Sequence, residues 1–237
     1  MHRNPEVCER DRISKVYSDR DSAGRGGLYA WHRPEVRQQD AARNLAISRL
    51  LGEAFGGDLS QIDVLDIGCG TGAFLRTLTE WGADPYRLTG TEFLPDRLEI
   101  ARQISAPEIK WHLGDCSFAN NENFHLISTN TVFSSILDEE SRVSLANKMW
   151  NLLKPGGWLM VFDFRYNNPS NLNVRKVTHS SLCSYWPNAI NAHYQSLLLA
   201  PPIARLVVPR SYFMGELLSY FPLLRSHFVY FAQKSTT

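Results

Sequence analysis

The chain has little of what would mark a metal, disulfide or membrane protein. Its four cysteines, Cys8, Cys69, Cys116 and Cys183, are scattered along 237 residues with no CxxC pair. That spacing excludes a recognisable zinc site and gives no disulfide framework. Reduced thiols in a cytoplasmic protein are the expectation. No apolar run approaches the roughly 20 residues that span a bilayer. The opening stretch, MHRNPEVCERDRISKVYSDRD, lacks the apolar segment of a signal peptide. An excess of one charge is missing too. Lysine and arginine number 25 against 24 acidic residues, a formal net charge of +1, so the basic stripe of a nucleic-acid binder is absent. What remains is a chain 43% hydrophobic and 21% charged, enough to bury the core of one large domain.

Residues 1–35 are polar and contain SAGRGG. They read as an N-terminal arm whose aromatic residues Tyr17, Tyr29 and Trp31, with His32, would lid a site and exclude water. Residues 36–237 read as the main domain. A helix begins at Pro34, carries Ile47, Leu50, Leu51 and Phe55 at helical spacing, and stops at Gly56-Gly57. Apolar strand-like runs then alternate with helices. The strands are expected at 62–67, 86–91, 109–113, 124–130 and 158–164. Helices are expected at 73–81, from Pro95, and from Asp138, which is placed to cap the helix carrying Val143, Ala146, Met149, Trp150 and Leu153. KPGG reads as the stop of that last helix. Strand–helix alternation implies βαβ units and a parallel sheet, with ligands bound at the carboxyl ends of its strands. Beyond Phe164 come a polar turn, a helix near 174–185, a strand near 194–199, a helical stretch in 202–220 and a last strand at 226–233, hairpinned antiparallel to its predecessor.

The stretch VLDIGCGTGAF, Val64 to Phe74, ends an apolar run in three alternate glycines. Gly68, Gly70 and Ala73 fit GxGxxA, a variant of the dinucleotide fingerprint. Three carboxylates point elsewhere. Asp66 precedes the first glycine by two residues, where it would repel a pyrophosphate but suit the ammonium of a methionine-derived ligand. Glu92 follows the second strand and could take both ribose hydroxyls. Asp115, in GDC at 114–116, puts an acceptor where an adenine amino group would lie.

With those residues in place, VLDIGCGTG resembles motif I of the class I S-adenosylmethionine (SAM) methyltransferases. TEFLPDRLEIAR resembles their acidic second-strand motif, Gly114-Asp115 their adenine motif and NLLKPGGWLMV the signature before their fifth strand. The order and spacing agree over about residues 40–165. The resemblance implies an α/β fold: a Rossmann-like seven-stranded sheet, mostly parallel with an antiparallel C-terminal strand, and helices on both faces. It implies SAM as cofactor. Asp66, Gly68, Gly70 and Gly72 would hold the methionyl end, with Cys69 a small filler of the turn. Glu92, followed by Phe93, would bind the ribose. Asp115 and the Cys116 backbone would meet the adenine, and Asn130 would line the cofactor near its methyl group.

The methyl of SAM is already activated, so holding a nucleophile about 3 Å away and in line does most of the work. A hydroxyl acceptor gains further from a general base. After the fourth strand, in NTVFSSILD, Ser134 and Ser135 stand where many relatives carry a histidine pair. His125 lies at the start of that strand, the wrong end of the sheet, and reads as structural. The best remaining cluster follows the fifth strand, with Asp163 expected as base and Arg165 as anchor for an anionic group. His32 on the arm is the next candidate.

The C-terminal third, from FDFRYNNPSN to IARLVVPR, resembles a bacterial subgroup of these enzymes that accompanies surface-polysaccharide or glycosylated-metabolite pathways. It implies O-methylation of a sugar or sugar-like acceptor, with membrane contact at most peripheral. Methylation of an amine or carboxylate, a SAM-binding protein without transferase activity and a nicotinamide-dependent oxidoreductase stay open as other classes.

Overall fold

The computed structural model describes residues 9, 11–16, 27–28, 30–119, 124–168 and 171–236. Tyr17 and Tyr29 of the expected lid lie outside them. Helix α1 (Pro34–Phe55) opens on a proline, whose missing N–H costs nothing in a first turn, and closes on Gly56 in the left-handed conformation (φ 64°). Then come β1 (Val64–Ile67), α2 (Ala73–Glu80), β2 (Leu88–Glu92), α3 (Pro95–Ile104), β3 (Lys110–Leu113), β4 (Phe124–Asn130), α4 (Glu139–Leu152) and β5 (Leu153–Phe164). The chain ends with α5 (His179–Tyr185), β6 (Ala189–Leu199), α6 (Pro201–Val207), α7 (Tyr212–Ser219) and β7 (Arg225–Lys234). Asp138 caps α4 as the sequence suggests, its carboxylate accepting the Ser141 amide at 2.7 Å.

The seven strands form one sheet in the order β3-β2-β1-β4-β5-β7-β6. The pairs among β1–β5 are parallel, and β7 runs antiparallel to both neighbours. The expected α/β architecture is thus the observed one. The central strands are covered on both faces, while the edge strands β3 and β6 stay exposed along much of their length, and the buried side chains divide by alternation. Leu65, Ile67, Phe228 and Tyr230 join a core with Ala146 and Met149 of α4 and Leu182 of α5. Val64, Met160, Val229 and Phe231 join the opposite core with Ile47 and Leu51 of α1 and Leu75 and Leu78 of α2. Each such leucine or isoleucine, fully buried, contributes about 1.5–3 kcal/mol.

Three local expectations differ from the fold. KPGG does not lie between helix and strand but inside β5, whose pairing with β4 begins at Leu153 and shifts register before resuming at Trp158. Val143, counted on the buried face of α4, is 41% exposed, and Arg142 is buried there instead. The helical stretch near 202–220 is two helices that pack on each other.

The sheet order positions the site. From β1 the chain moves outward to β2 and β3, then returns to lay β4 against the other side of β1. Neighbouring crossovers diverge at β1 and β4, opening a crevice beyond their carboxyl ends, where ligands of such sheets bind.

Candidate active site

A cavity of about 740 Å³ occupies that crevice, within the usual range for small-molecule sites of about 300–1,000 Å³. Its floor is the turn after β1. Gly68 and Gly70 hold φ of 68° and 56°, a region that side chains resist. A Cβ on Gly68 would lie 2.5 Å from Val132 Cγ2, while beside Gly70 nothing stands within 4 Å. Gly68 is therefore packed against Val132, itself on the cavity wall, while Gly70 leaves its part of the turn bare. Cys69 fills the turn between them: its amide donates to Thr91 O at 2.9 Å, and burial pushes its thiol far above the usual range, so it is no nucleophile.

Asp66, on β1, is 1% exposed. Its Oδ1 accepts from Ser128 Oγ at 2.7 Å and Asn130 Nδ2 at 3.3 Å, both on β4. Burial pushes its carboxyl up to about 7, against those two hydrogen bonds. Glu92 ends β2. Its Oε2 accepts the Gly70 amide at 2.9 Å, and its Oε1 accepts those of Phe93 and Leu94 at 2.7 and 3.0 Å. A carboxylate offers about four acceptor positions and three are filled by backbone. A pair of ribose hydroxyls would therefore share Glu92 with the Gly70 amide.

Asp115 lines the cavity beyond β3. It accepts from the Ser117 amide at 3.0 Å and Lys148 Nζ at 3.2 Å, interactions that hold its carboxyl below the usual range despite partial burial. Cys116 is buried beside it, and His112 and Phe118 stack 3.6 Å apart on the same wall. Every expected cofactor residue except Gly72 lines this one space: Asp66, Gly68, Cys69, Gly70, Glu92, Phe93, Asp115, Cys116 and Asn130. Gly72 (φ 78°) instead lies against Trp111, whose ring stands 2.5 Å from where a Cβ would be.

On these observations the residues fit SAM. The turn is bare where a ligand's backbone would pass, a buried carboxylate awaits a cation, and two further carboxylates follow along one wall.

The expected catalytic trio is not brought together. Asp163 is wholly buried and does not line the cavity. Its Oδ2 accepts the Ser134 amide at 3.0 Å and its Oδ1 that of Phe164 at 2.7 Å. Burial pushes it up to about 6, and in this place both its oxygens are engaged by backbone amides, one of them in the turn after β4. Arg165 donates to Pro222 O at 3.0 Å and lies over the Tyr166 ring, away from the cavity lining. His32 is exposed, edge-on to Trp31, which is itself 79% exposed. His125, read as structural, accepts the Asp63 amide at 3.0 Å at the amino edge of the sheet.

Other residues reach the cavity without a signal in the sequence. Arg43 of α1 lines it, with its guanidinium 5.9 Å from the Phe162 ring and its charge acting on Asp66. Thr131, past β4, is held at φ 58°, rare for a β-branched residue. From the arm, Glu9 and Ile13 line the cavity. Glu9 accepts the amides of Leu137 and Asp138 at 3.2 and 3.1 Å, and Arg12 donates to Ser135 O. Two residues of the N-terminal segment thus reach the site, while Trp31 and His32 do not line it.

Comparison with known proteins places this geometry. Residues 64–157 match the family model described as "Methyltransferase domain". The matched segment runs from the first residue of β1 into β5 and holds the glycine turn, Glu92, Asp115 and Asn130. The chain is 33% identical over 132 residues to a demethylmenaquinone methyltransferase of Tropheryma whipplei, covering 54% of this chain and 50% of that one. It is 33% identical over 113 residues to a 2-phytyl-1,4-naphtoquinone methyltransferase of Thermosynechococcus vestitus, covering 46% and 48%. The chain spans about half the length of these curated relatives. Among solved structures, a putative sarcosine dimethylglycine methyltransferase from Galdieria sulphuraria superposes with a TM-score of 0.62 at 12% identity, over 82% of this chain and 86% of that one. A SAM-dependent methyltransferase from Archaeoglobus fulgidus gives 0.55 at 13% identity, over 81% and 94%. The fold is that of the SAM-dependent methyltransferases, as the motif order implies.

Proposed function

We propose that this protein transfers a methyl group from SAM to a small-molecule acceptor. The observation that carries the reading is the convergence of Asp66, the bare Gly70 turn and Glu92 on one cavity at the crossover point of the sheet. SAM brings a methyl group made electrophilic by its sulfonium. The chain's part is to bind and orient. Asp66 offers a buried negative charge to the cationic end. Glu92, held by three amides, fixes one point of the ribose. Asp115 marks the adenine end. An acceptor held in line by the cavity walls then needs little further chemistry.

For the acceptor, two classes are in play. The C-terminal resemblance argues for a sugar hydroxyl, which would need a base other than the buried Asp163. The two relatives named above carry quinones or naphthoquinones in their names, and Ile13, Phe74, Ile136 and Leu145 give the cavity apolar wall. We favour an acceptor with an apolar ring or tail over a free sugar.

The test is acceptor-dependent formation of S-adenosylhomocysteine (SAH), with isoprenylated hydroquinones, sugar nucleotides and glycans as acceptors. Turnover with the hydroquinones supports the preferred class, and turnover only with the sugars replaces it with the other. SAH binding with no turnover across both groups would leave a SAM-binding protein without transferase activity. Binding of NAD in place of SAH would return the site to the dinucleotide reading.

A further inference from the structure

Helix α7 faces the wrong way for an element of a closed domain. Gly215 is buried, and a Cβ there would lie 2.6 Å from Val208 Cγ2 and 3.0 Å from Gln38 Oε1, so the helix is pressed by this residue onto α6 and α1. Gln38 Nε2 also donates to Glu216 Oε1 at 3.0 Å. The opposite side therefore looks out. Phe213, Leu217 and Tyr220 follow at i, i+4 and i+7, one stripe of a helix with 3.6 residues per turn. Phe213 and Tyr220 are each 72% exposed, and Leu223 in the next turn is 83% exposed. Such a stripe, continuous over two turns, marks a surface that meets something apolar.

The surrounding charge says what. Between residues 201 and 225 the charged side chains are Arg205, Arg210, Arg225 and Glu216, and the single acid is engaged by Gln38. The segment that carries the stripe is therefore net cationic. Exposed aromatic and aliphatic side chains on an arginine-rich segment suit the headgroup region of an anionic bilayer. A stable protein partner would bury about 800 Å² on each side, more than a two-turn helix face offers. The location fits as well. Strand β6, which runs parallel to β5, ends at Leu199 on the carboxyl edge of the sheet. There Gln39 Nε2 donates to Leu199 O at 3.0 Å, and Arg43, one turn further along α1, lines the cavity.

We propose that the α6–α7 insertion docks the protein on an anionic lipid surface, with Phe213, Leu217, Tyr220 and Leu223 entering the headgroup layer and the cavity held beside it. The inference is independent of the reaction. Sedimentation with phosphatidylcholine vesicles, with and without phosphatidylglycerol, tests it. The wild type should pellet with the anionic vesicles and be released by high salt. The triple variant Phe213→Ser/Tyr220→Ser/Leu223→Ser should lose about tenfold or more of that partitioning while keeping its melting temperature and SAH affinity. Leu223→Ser alone, at the most exposed position, should show a smaller loss in the same direction. Three results would overturn the proposal: a wild type that stays in the supernatant, equal pelleting of wild type and variants, or a stable dimer that the triple variant splits. The last would make the stripe an interface between copies of the chain.

Discussion

Ser128 Oγ donates to Asp66 Oδ1 at 2.7 Å, across strands whose register sets the two residues directly opposite. The bond joins the acid of the glycine turn to the strand that supplies Asn130. Burial pushes Asp66 up to about 7 and the Glu92 charge adds to the shift, so near neutral pH the acid is divided between its two forms. A cationic ligand favours the ionised form. SAM binding should therefore release protons near pH 6–7, and its affinity should fall as pH drops through about 7. Calorimetry in buffers of different ionisation enthalpy measures both. Asp66→Asn should bind more weakly and lose the pH dependence. Ser128→Ala should move the midpoint upward, because it removes a bond to the charged form. In the free protein the sign is that of a raised carboxyl: the stability tied to its protonated form is complete below the unfolded value of about 3.9 and is lost as pH rises through about 7.

Arg43 puts a guanidinium on the cavity wall within the field of Asp66. If it meets the carboxylate at the methionyl end, Arg43→Gln removes a charge-assisted hydrogen bond worth about 1.5–3 kcal/mol, or roughly a tenfold to hundredfold loss of affinity. SAH should show that loss and 5′-methylthioadenosine, which has no carboxylate, should not. Unchanged affinity for both ligands would assign Arg43 to the acceptor, and the change would then fall on KM for an anionic acceptor.

What the sequence makes legible here is what is local. Gly68 and Gly70 after β1, Glu92 ending β2 and Asp115 after β3 line one cavity, Gly72 turns to Trp111 instead, and Asp138 caps the helix it precedes. Asp163 shows the limit. Its position at the carboxyl end of β5 is legible, but the turn that folds over it, through the Ser134 amide some thirty positions earlier in the chain, is not. Arg43 and Glu9 reach the cavity only through the packing of α1 and the arm, which no spacing encodes. The apolar residues of 212–224 carry no sign of their direction either. It takes Gly215, the contact point of α7, to show that Phe213, Leu217 and Tyr220 face outward.

Asp163 now carries a structural prediction. Both carboxylate oxygens accept backbone amides. In Asp163→Asn one of those amides would face an NH₂ group, so a buried donor loses its partner at a cost of about 1–3 kcal/mol. The variant should unfold at a lower denaturant concentration with an unchanged slope. Its turnover at a temperature where it is folded should keep the pH profile of the wild type. A rate lowered by about 10²–10⁴-fold, with loss of one ionisation from the profile, would instead restore Asp163 as a base.

Glu9 ties the arm to the body of the domain. Its Oε1 accepts the amides of Leu137 and Asp138, just ahead of α4, while its Oε2 pairs with Arg12 at 2.7 Å. Arg12 in turn reaches Ser135 O, and Ile13 completes this side of the cavity. If the arm closes over bound cofactor, these contacts hold it there, and Glu9→Ala removes the acceptor for two amides at once. Trypsin, which cuts after Arg12 and Lys15, reports the arm's release. Cleavage of the wild type should slow when SAH is present, because ligand and arm stabilise one closed form. Glu9→Ala should be cut faster than the wild type and gain less protection from SAH, with SAH affinity reduced in proportion to the arm's share of the contact. Equal cleavage of the wild type with and without SAH would uncouple the arm from the site. The contact with 137–138 would then serve only to anchor the N-terminal segment.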